Sequence, residues 1–182
     1  MNSNMAELRR RFEKAGYADV RTVLGSGNVV FTARRAPREG DVSKAAGFTA
    51  FVRSIDDLQA LAARDPFAKH RLDSAAKRVV TFLRARSSAV LPEEVEGARI
   101  LGVDGTEVFT AYVPGATSPV FMTLIEKTFG KEVTTRTWDT IQKVIRAGSE
   151  AAPAPKETTS RRAAAVKAAA SRRRTKAGRR RG

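Results

Sequence analysis

Apolar positions near the N-terminus change period within the first thirty residues. Met5, Leu8, Phe12 and Ala15 recur at helical spacing, Asn4 and Glu7 stand as a capping box, and Gly16 follows, so the spacing predicts a helix over 4–15. From Val20 the period drops to two. Val20, Thr22 and Leu24 share one face of a strand, and Val29, Phe31 and Ala33 share one face of the next. Between them Gly25-Ser26-Gly27-Asn28 offers positive-φ residues where a reversal needs them. Val29-Val30-Phe31 is apolar on both faces, as an interior strand would be, so the hairpin Val20–Arg34 is expected to lie at the centre of a sheet.

The pattern then alternates. Residues 34–46 are polar and broken by Pro37 and Gly40, which predicts a loop with at most a helical turn. Gly47–Arg53 returns to strand character. Ser54 with Asp57 caps a helix facing Ile55, Leu58, Leu61 and Ala62 inward, and Asp65-Pro66 ends it. Lys77–Leu83 has strand composition, and Pro92–Glu96 a short helix opening on proline. Arg99–Leu101 and Glu107–Val113 form two strands around the turn Gly102-Val103-Asp104-Gly105. Ser118 caps and Pro119 starts a helix burying Phe121, Leu124, Ile125 and Phe129 and ending at Gly130; a strand-like Thr134-Thr135-Arg136 leads to a last helix, Trp138–Ala147, capped by Thr137.

This order of elements predicts an α+β chain of two related ferredoxin-like, β-α-β-β-α-β subdomains, residues 1–74 and 75–150, with a disordered tail over 151–182. The first subdomain lacks its opening strand. That strand should be central, so its absence predicts an exposed, unpaired edge on the hairpin, self-association of copies through it, and a true start upstream of Met1.

Composition narrows the chemistry. The 182 residues contain no cysteine and one histidine, His70, which excludes disulfides, thiolate chemistry and an imidazole metal cluster; no cofactor is implied. No apolar run approaches the roughly 18 residues of a membrane span, and no signal-like h-region opens the chain, so a cytoplasmic protein is expected. The net charge of +15 is concentrated at the end: 11 of the 34 Lys and Arg residues lie from Lys156 onward, against the single acid Glu157.

Within the body, Gly25-Ser26-Gly27-Asn28 has no following helix or lysine to make a phosphate loop, and Ser26 has no partner to activate it. His70 lies between Lys69 and Arg71 as solvated surface. Asp56/Asp57 and Glu93/Glu94 stand at helix starts, where negative charge complements the dipole. Thr134, Thr135, Arg136 and Thr137 join hydroxyls, a guanidinium and free amide donors before a helix, which suits a small anion; a cap and a core tryptophan explain the same residues without a ligand. No catalytic residue stands out. The tail is the stronger signal: Arg161, Arg162, Lys167, Arg172, Arg173, Arg174, Lys176, Arg179, Arg180 and Arg181 are separated by alanine blocks after a linker marked by Pro153 and Pro155. Such a run is expected to bind DNA or RNA phosphates without sequence preference, as nucleoid-associated proteins do, and without an aromatic it has no stacking mode.

The runs MAELRRRFEKAGYADVRTVLGSGNVVF, FVRSIDDLQAL, DPF and VTTRTWDTIQKV resemble the bacterial domain-of-unknown-function 1697 family over roughly residues 4–147. SGNVVF and TTRTWDT are the most specific, matching in order and separation. The resemblance implies two related α+β subdomains and supplies no activity. Against the family pattern, the chain lacks an apolar strand and Gly/Asn loop before its first helix, has a loop at 34–46 where a helix is usual, and has Pro119 in place of a lysine.

Overall fold

In a computed structural model, which describes residues 4–92, 97–115, 120–150 and 161–167, Asn4 Oδ1 accepts bonds from the amides of Ala6 and Glu7 and starts α1, Met5–Lys14, which buries Leu8 and Phe12. β1, Ala18–Val23, and β2, Asn28–Ala33, follow as an antiparallel hairpin. A bulge at Asp19, with φ +50°, and a turn begun by Leu24 at φ +60° interrupt the expected alternation, so Val20 is buried while Leu24 is exposed.

The predicted loop at 34–46 is corrected: Glu39–Ala46 form α2. Val42 and Ala46, four residues apart, are fully buried, and Gly47 closes the helix at φ +77°. Pro37 precedes the helix and Gly40 lies in its first turn, where neither breaks it. Gly47 has a second role, since a Cβ there would lie 2.5 Å from the Arg11 guanidinium, whose Nη1 donates to Ala46 O at 3.0 Å. β3, Ala50–Ser54, runs into α3, Ile55–Arg64, with Ser54 Oγ accepting from Asp57 N at the junction.

The second half continues with β4, Lys77–Phe82; β5, Ala98–Asp104; β6, Glu107–Tyr112; α4, Val120–Phe129; β7, Thr134–Thr137; and α5, Trp138–Ser149. β5 extends to Asp104, past the expected turn, which lies instead at Gly105-Thr106. The predicted helix residues 93–96 and the cap at Ser118 and Pro119 lie outside the described residues.

One further strand, β8, Arg161–Lys167, overturns two expectations. The two sheets have orders β1-β2-β8-β3 and β5-β6-β4-β7, all neighbours antiparallel. Each is the 2-3-1-4 order of a ferredoxin-like unit. In the second unit the opening strand is β4; in the first its position is filled by β8. The expected unpaired edge on β2 is therefore absent: Val29, Val30 and Phe31 oppose Ala165, Ala164 and Ala163, and Phe51 and Val52 oppose Val166 and Ala165 from the other side. The expected disorder of the tail does not extend to 161–167. Alanine-rich composition suggests helix or coil, but a strand paired on both sides is selected by its neighbours more than by its own propensity.

Three cores follow. Val29 and Phe31 on one face of the first sheet pack with Leu8, Phe12 and Val42 of α1 and α2. Val108 and Ile100 of the second sheet pack with Leu124 and Ile125 of α4. The largest core joins the units: Val30, Phe51 and Ala164 meet Val80, Phe82 and Phe109 through Ile55, Leu58 and Leu61 of α3 and Trp138, Ile141 and Val144 of α5. α3 and α5 touch so closely that a Cβ on Gly148 would lie 2.6 Å from Ile55 Cδ1.

Candidate functional site

The strand-to-helix junctions of the two units carry one short repeat. Arg53-Ser54-Ile55-Asp56-Asp57-Leu58-Gln59 is matched by Arg136-Thr137-Trp138-Asp139-Thr140-Ile141-Gln142. In each copy arginine is the last-but-one residue of a strand, the hydroxyl residue that ends the strand caps the helix, and a large apolar residue enters the shared core.

The two arginines bind reciprocally. Arg136 Nε donates to Asn28 Oδ1 at 2.7 Å and Nη2 to Ser26 O at 3.1 Å, so the last strand of the second unit grips the hairpin turn of the first. Arg53 Nε donates to Glu107 Oε1 at 2.9 Å and Nη2 to Thr106 Oγ1 at 3.1 Å, gripping the hairpin turn of the second unit from the first. Asn28 opens β2 and Glu107 opens β6, so the two acceptors are topological equivalents. Each Nη1 also donates to the carbonyl of the preceding residue, Val52 O at 2.8 Å and Thr135 O at 2.7 Å, which holds both guanidinium planes in register with their strands.

The two sites differ in charge. Arg53 lies 3.6 Å from Glu39 Oε1, and Arg84 joins the same carboxylate at 2.6 Å, giving a network that crosses between the units. Arg84 also lies over the Phe51 ring at 4.5 Å. Around Arg136 the acceptors above are amide and carbonyl oxygens, with Thr134 Oγ1 at 3.3 Å from Nη1. Burial pushes the Arg136 guanidinium down to about 10, which leaves it a full cation at neutral pH. Asn28 is buried and its amide hydrogens go to Val23 O at 3.1 Å and Ser26 Oγ at 2.9 Å. Gly25-Ser26-Gly27-Asn28 is thus a turn whose polar atoms serve the clasp.

The expected anion residues fall into this arrangement. Thr134 is buried beside Arg136; Thr135 Oγ1 lies 3.7 Å from Met122 Sδ; Thr137 caps α5 through Thr140 N at 3.3 Å. An anion there would compete with these protein bonds. Of the expected nucleic-acid residues, Arg161, Arg162 and Lys167 belong to β8, their backbones opposite Ala33, Thr32 and Ala50. Arg172, Arg173, Arg174, Lys176, Arg179, Arg180 and Arg181 lie outside the described residues. His70 sits in the turn after α3, its pKa lowered by partial burial and by Lys69 and Arg99.

An open cleft of about 510 Å³ lies between α3 and the β5–β6 turn. Its charged walls are Arg53, Arg64 and Arg86 against Asp57, Asp104 and Glu107; Arg64 pairs with Asp104 at 2.8 Å. The signs balance, so no one ligand charge is favoured. Among the described residues no group of three or more His, Cys, Asp and Glu could hold a metal, and no helix is long and apolar enough to cross a membrane.

Arg53, Asn28 and Glu107 were not among the expected site residues. The repeated arginine-hydroxyl-apolar-aspartate pattern is the signal that finds the first, while the hairpin starts are found only once the sheets are paired. The pattern of the family described as "Protein of unknown function (DUF1697)" matches residues 2–111. No curated protein and no solved structure matches the chain.

Proposed function

This chain belongs to the DUF1697 family of proteins of unknown function, and from that premise we propose that it is a non-enzymatic scaffold whose basic C-terminal run binds DNA or RNA phosphates without sequence specificity. One observation carries the proposal: residues 172–181 contain seven Lys and Arg, with no acid after Glu157. Cations at this density release counterions from a nucleic-acid backbone, and the absence of aromatic residues leaves backbone contact as the mode. On this reading the two-unit body is the cargo or adaptor, and the protein resides in the cytoplasm with the nucleoid. The claspwork of Arg53 and Arg136 supports a scaffold role, since it uses the most specific side chains of the body to hold the units together.

The experiment compares the full chain with one ending at Lys167, which retains β8, in binding to duplex DNA over a salt series. Seven phosphate contacts give a slope of about −6 in log K against log salt for the full chain. The shortened chain is expected to lose nearly all of that slope. Equal binding by both chains would overturn the proposal.

A further inference from the structure

β2 and β3 flank β8 and bond to it, not to each other. Without β8 the first unit presents two facing edges of five paired positions each, and the shared core loses Ala164, which is 1% exposed. A slot of this kind favours being filled, because β2 is buried along most of its length and an open slot leaves its backbone groups without their ladder partners.

The strand that fills it is remote. About a hundred residues separate Ser54 at the end of β3 from Arg161 at the start of β8. During synthesis or refolding, every copy therefore carries an open slot before its own β8 reaches it, and a copy already completed carries the matching strand. The strand is joined to α5 only through residues 151–160, which include Pro153 and Pro155. Nothing in the register depends on which copy provides Arg161–Lys167: the same alanines would oppose Val29, Val30 and Phe31.

We propose that two copies of this chain exchange β8, each completing the first sheet of the other. Because the exchange is reciprocal between the same two copies, it is isologous and closed, with no strand or slot left over. It forms where chains fold at high concentration. It persists on dilution, because release breaks both ladders of β8 at once. This proposal stands on the sheet and is independent of nucleic-acid binding.

The absence of cysteine gives a direct test. Thr32 opposes Arg162 across the β2–β8 pair, so a T32C/R162C chain can be oxidised after refolding. Refolded dilute, it should yield a cross-linked monomer; refolded at successively higher concentration, it should yield a rising fraction of disulfide-linked dimer on a non-reducing gel. Light scattering of the unmodified full chain should show the same dimer, slow to dissociate. Adding Ala164→Asp, which places a charge at the buried centre of the strand, should abolish the cross-link in both species. Cross-linked monomer alone at every concentration would overturn the proposal, as would a dimer that forms without the 32–162 bond. If neither species cross-links, β8 does not occupy the slot and the proposal falls with it.

Discussion

In the second unit the central strand β4 comes first and the elements it organises follow it; in the first unit the strand in the same position, β8, comes after every other described element. The composition differs as much as the order. β4 buries Val79, Val80, Thr81 and Phe82, whereas β8 brings Ala163, Ala164, Ala165 and Val166. The comparison teaches that a sheet of this kind constrains what stands beside a strand, not where in the chain it comes from. It also shows how small residues at the centre are tolerated: their neighbours are large. Val30 and Phe51 pack with Ala164 in the shared core. Burying a Val or Phe side chain stabilises by about 1.5–3 kcal/mol, a contribution that Val79, Val80 and Phe82 of β4 each make to the second unit.

The most severe way to break that comparison is Ala164→Asp. A charge buried at this site should cost about 3 kcal/mol or more. Hydrogen exchange should show amides of β2 and β3 losing protection while those of β4 and β6 keep theirs. Uniform loss across both sheets would mean that the units fold as one.

The clasps provide the next test. Arg136→Met leaves the buried Asn28 Oδ1 and the exposed Ser26 O without their donor, with an expected loss of about 2–4 kcal/mol in urea unfolding. Arg53→Met should cost less, about 1–2 kcal/mol, because Glu107 and Glu39 retain solvent access. Arg136→Lys should recover little, since an ammonium cannot reproduce the three-nitrogen fork. Equal losses at the two arginines would show that the difference in their surroundings has no energetic weight.

At the contact between the units, Gly148→Ala should destabilise by about 1–3 kcal/mol through collision with Ile55, and the same change in an Ile55→Val background should cost measurably less. The smallest expected effect is within the second sheet. Thr81 and Thr110 bury hydroxyls without a partner among the described residues, so Thr81→Val should shift stability by less than about 0.5 kcal/mol or raise it. A large loss there would mean that a buried water serves the hydroxyl.

Much of this architecture was legible in the sequence where local chemistry decides. Asn4, Ser54 and Thr137 each cap the helix that their spacing predicts, and the apolar stripes of α1, α3 and α5 are the buried faces. α2 was not legible because its start has no side-chain cap and its sequence includes a glycine; two buried residues and a left-handed glycine outweigh both. β8 was not legible because Val166 alone in RRAAAVK favours a strand, and its pairing depends on residues more than a hundred positions away. The same limit applies to the site. Arg136 stood out beside three threonines, but its partners Ser26 and Asn28 lie across the fold, and a guanidinium with free space in the sequence is an occupied one in three dimensions. The two runs that carry the family resemblance, SGNVVF and TTRTWDT, meet at that contact.

The reciprocal clasp has a consequence for how this chain can change. Each half extends an arginine to the other half's hairpin, which is the symmetry of a homodimer written into a single polypeptide. In a dimer of identical halves, one substitution would alter both grips together. Here each grip has its own codon, and the two have separated: Arg53 faces the carboxylate of Glu107, Arg136 the amide of Asn28. The Arg53 grip is ionic and so open to tuning by salt, whereas the Arg136 grip on the other hairpin rests on the neutral oxygens of Asn28 and Ser26 and can be altered without touching its twin.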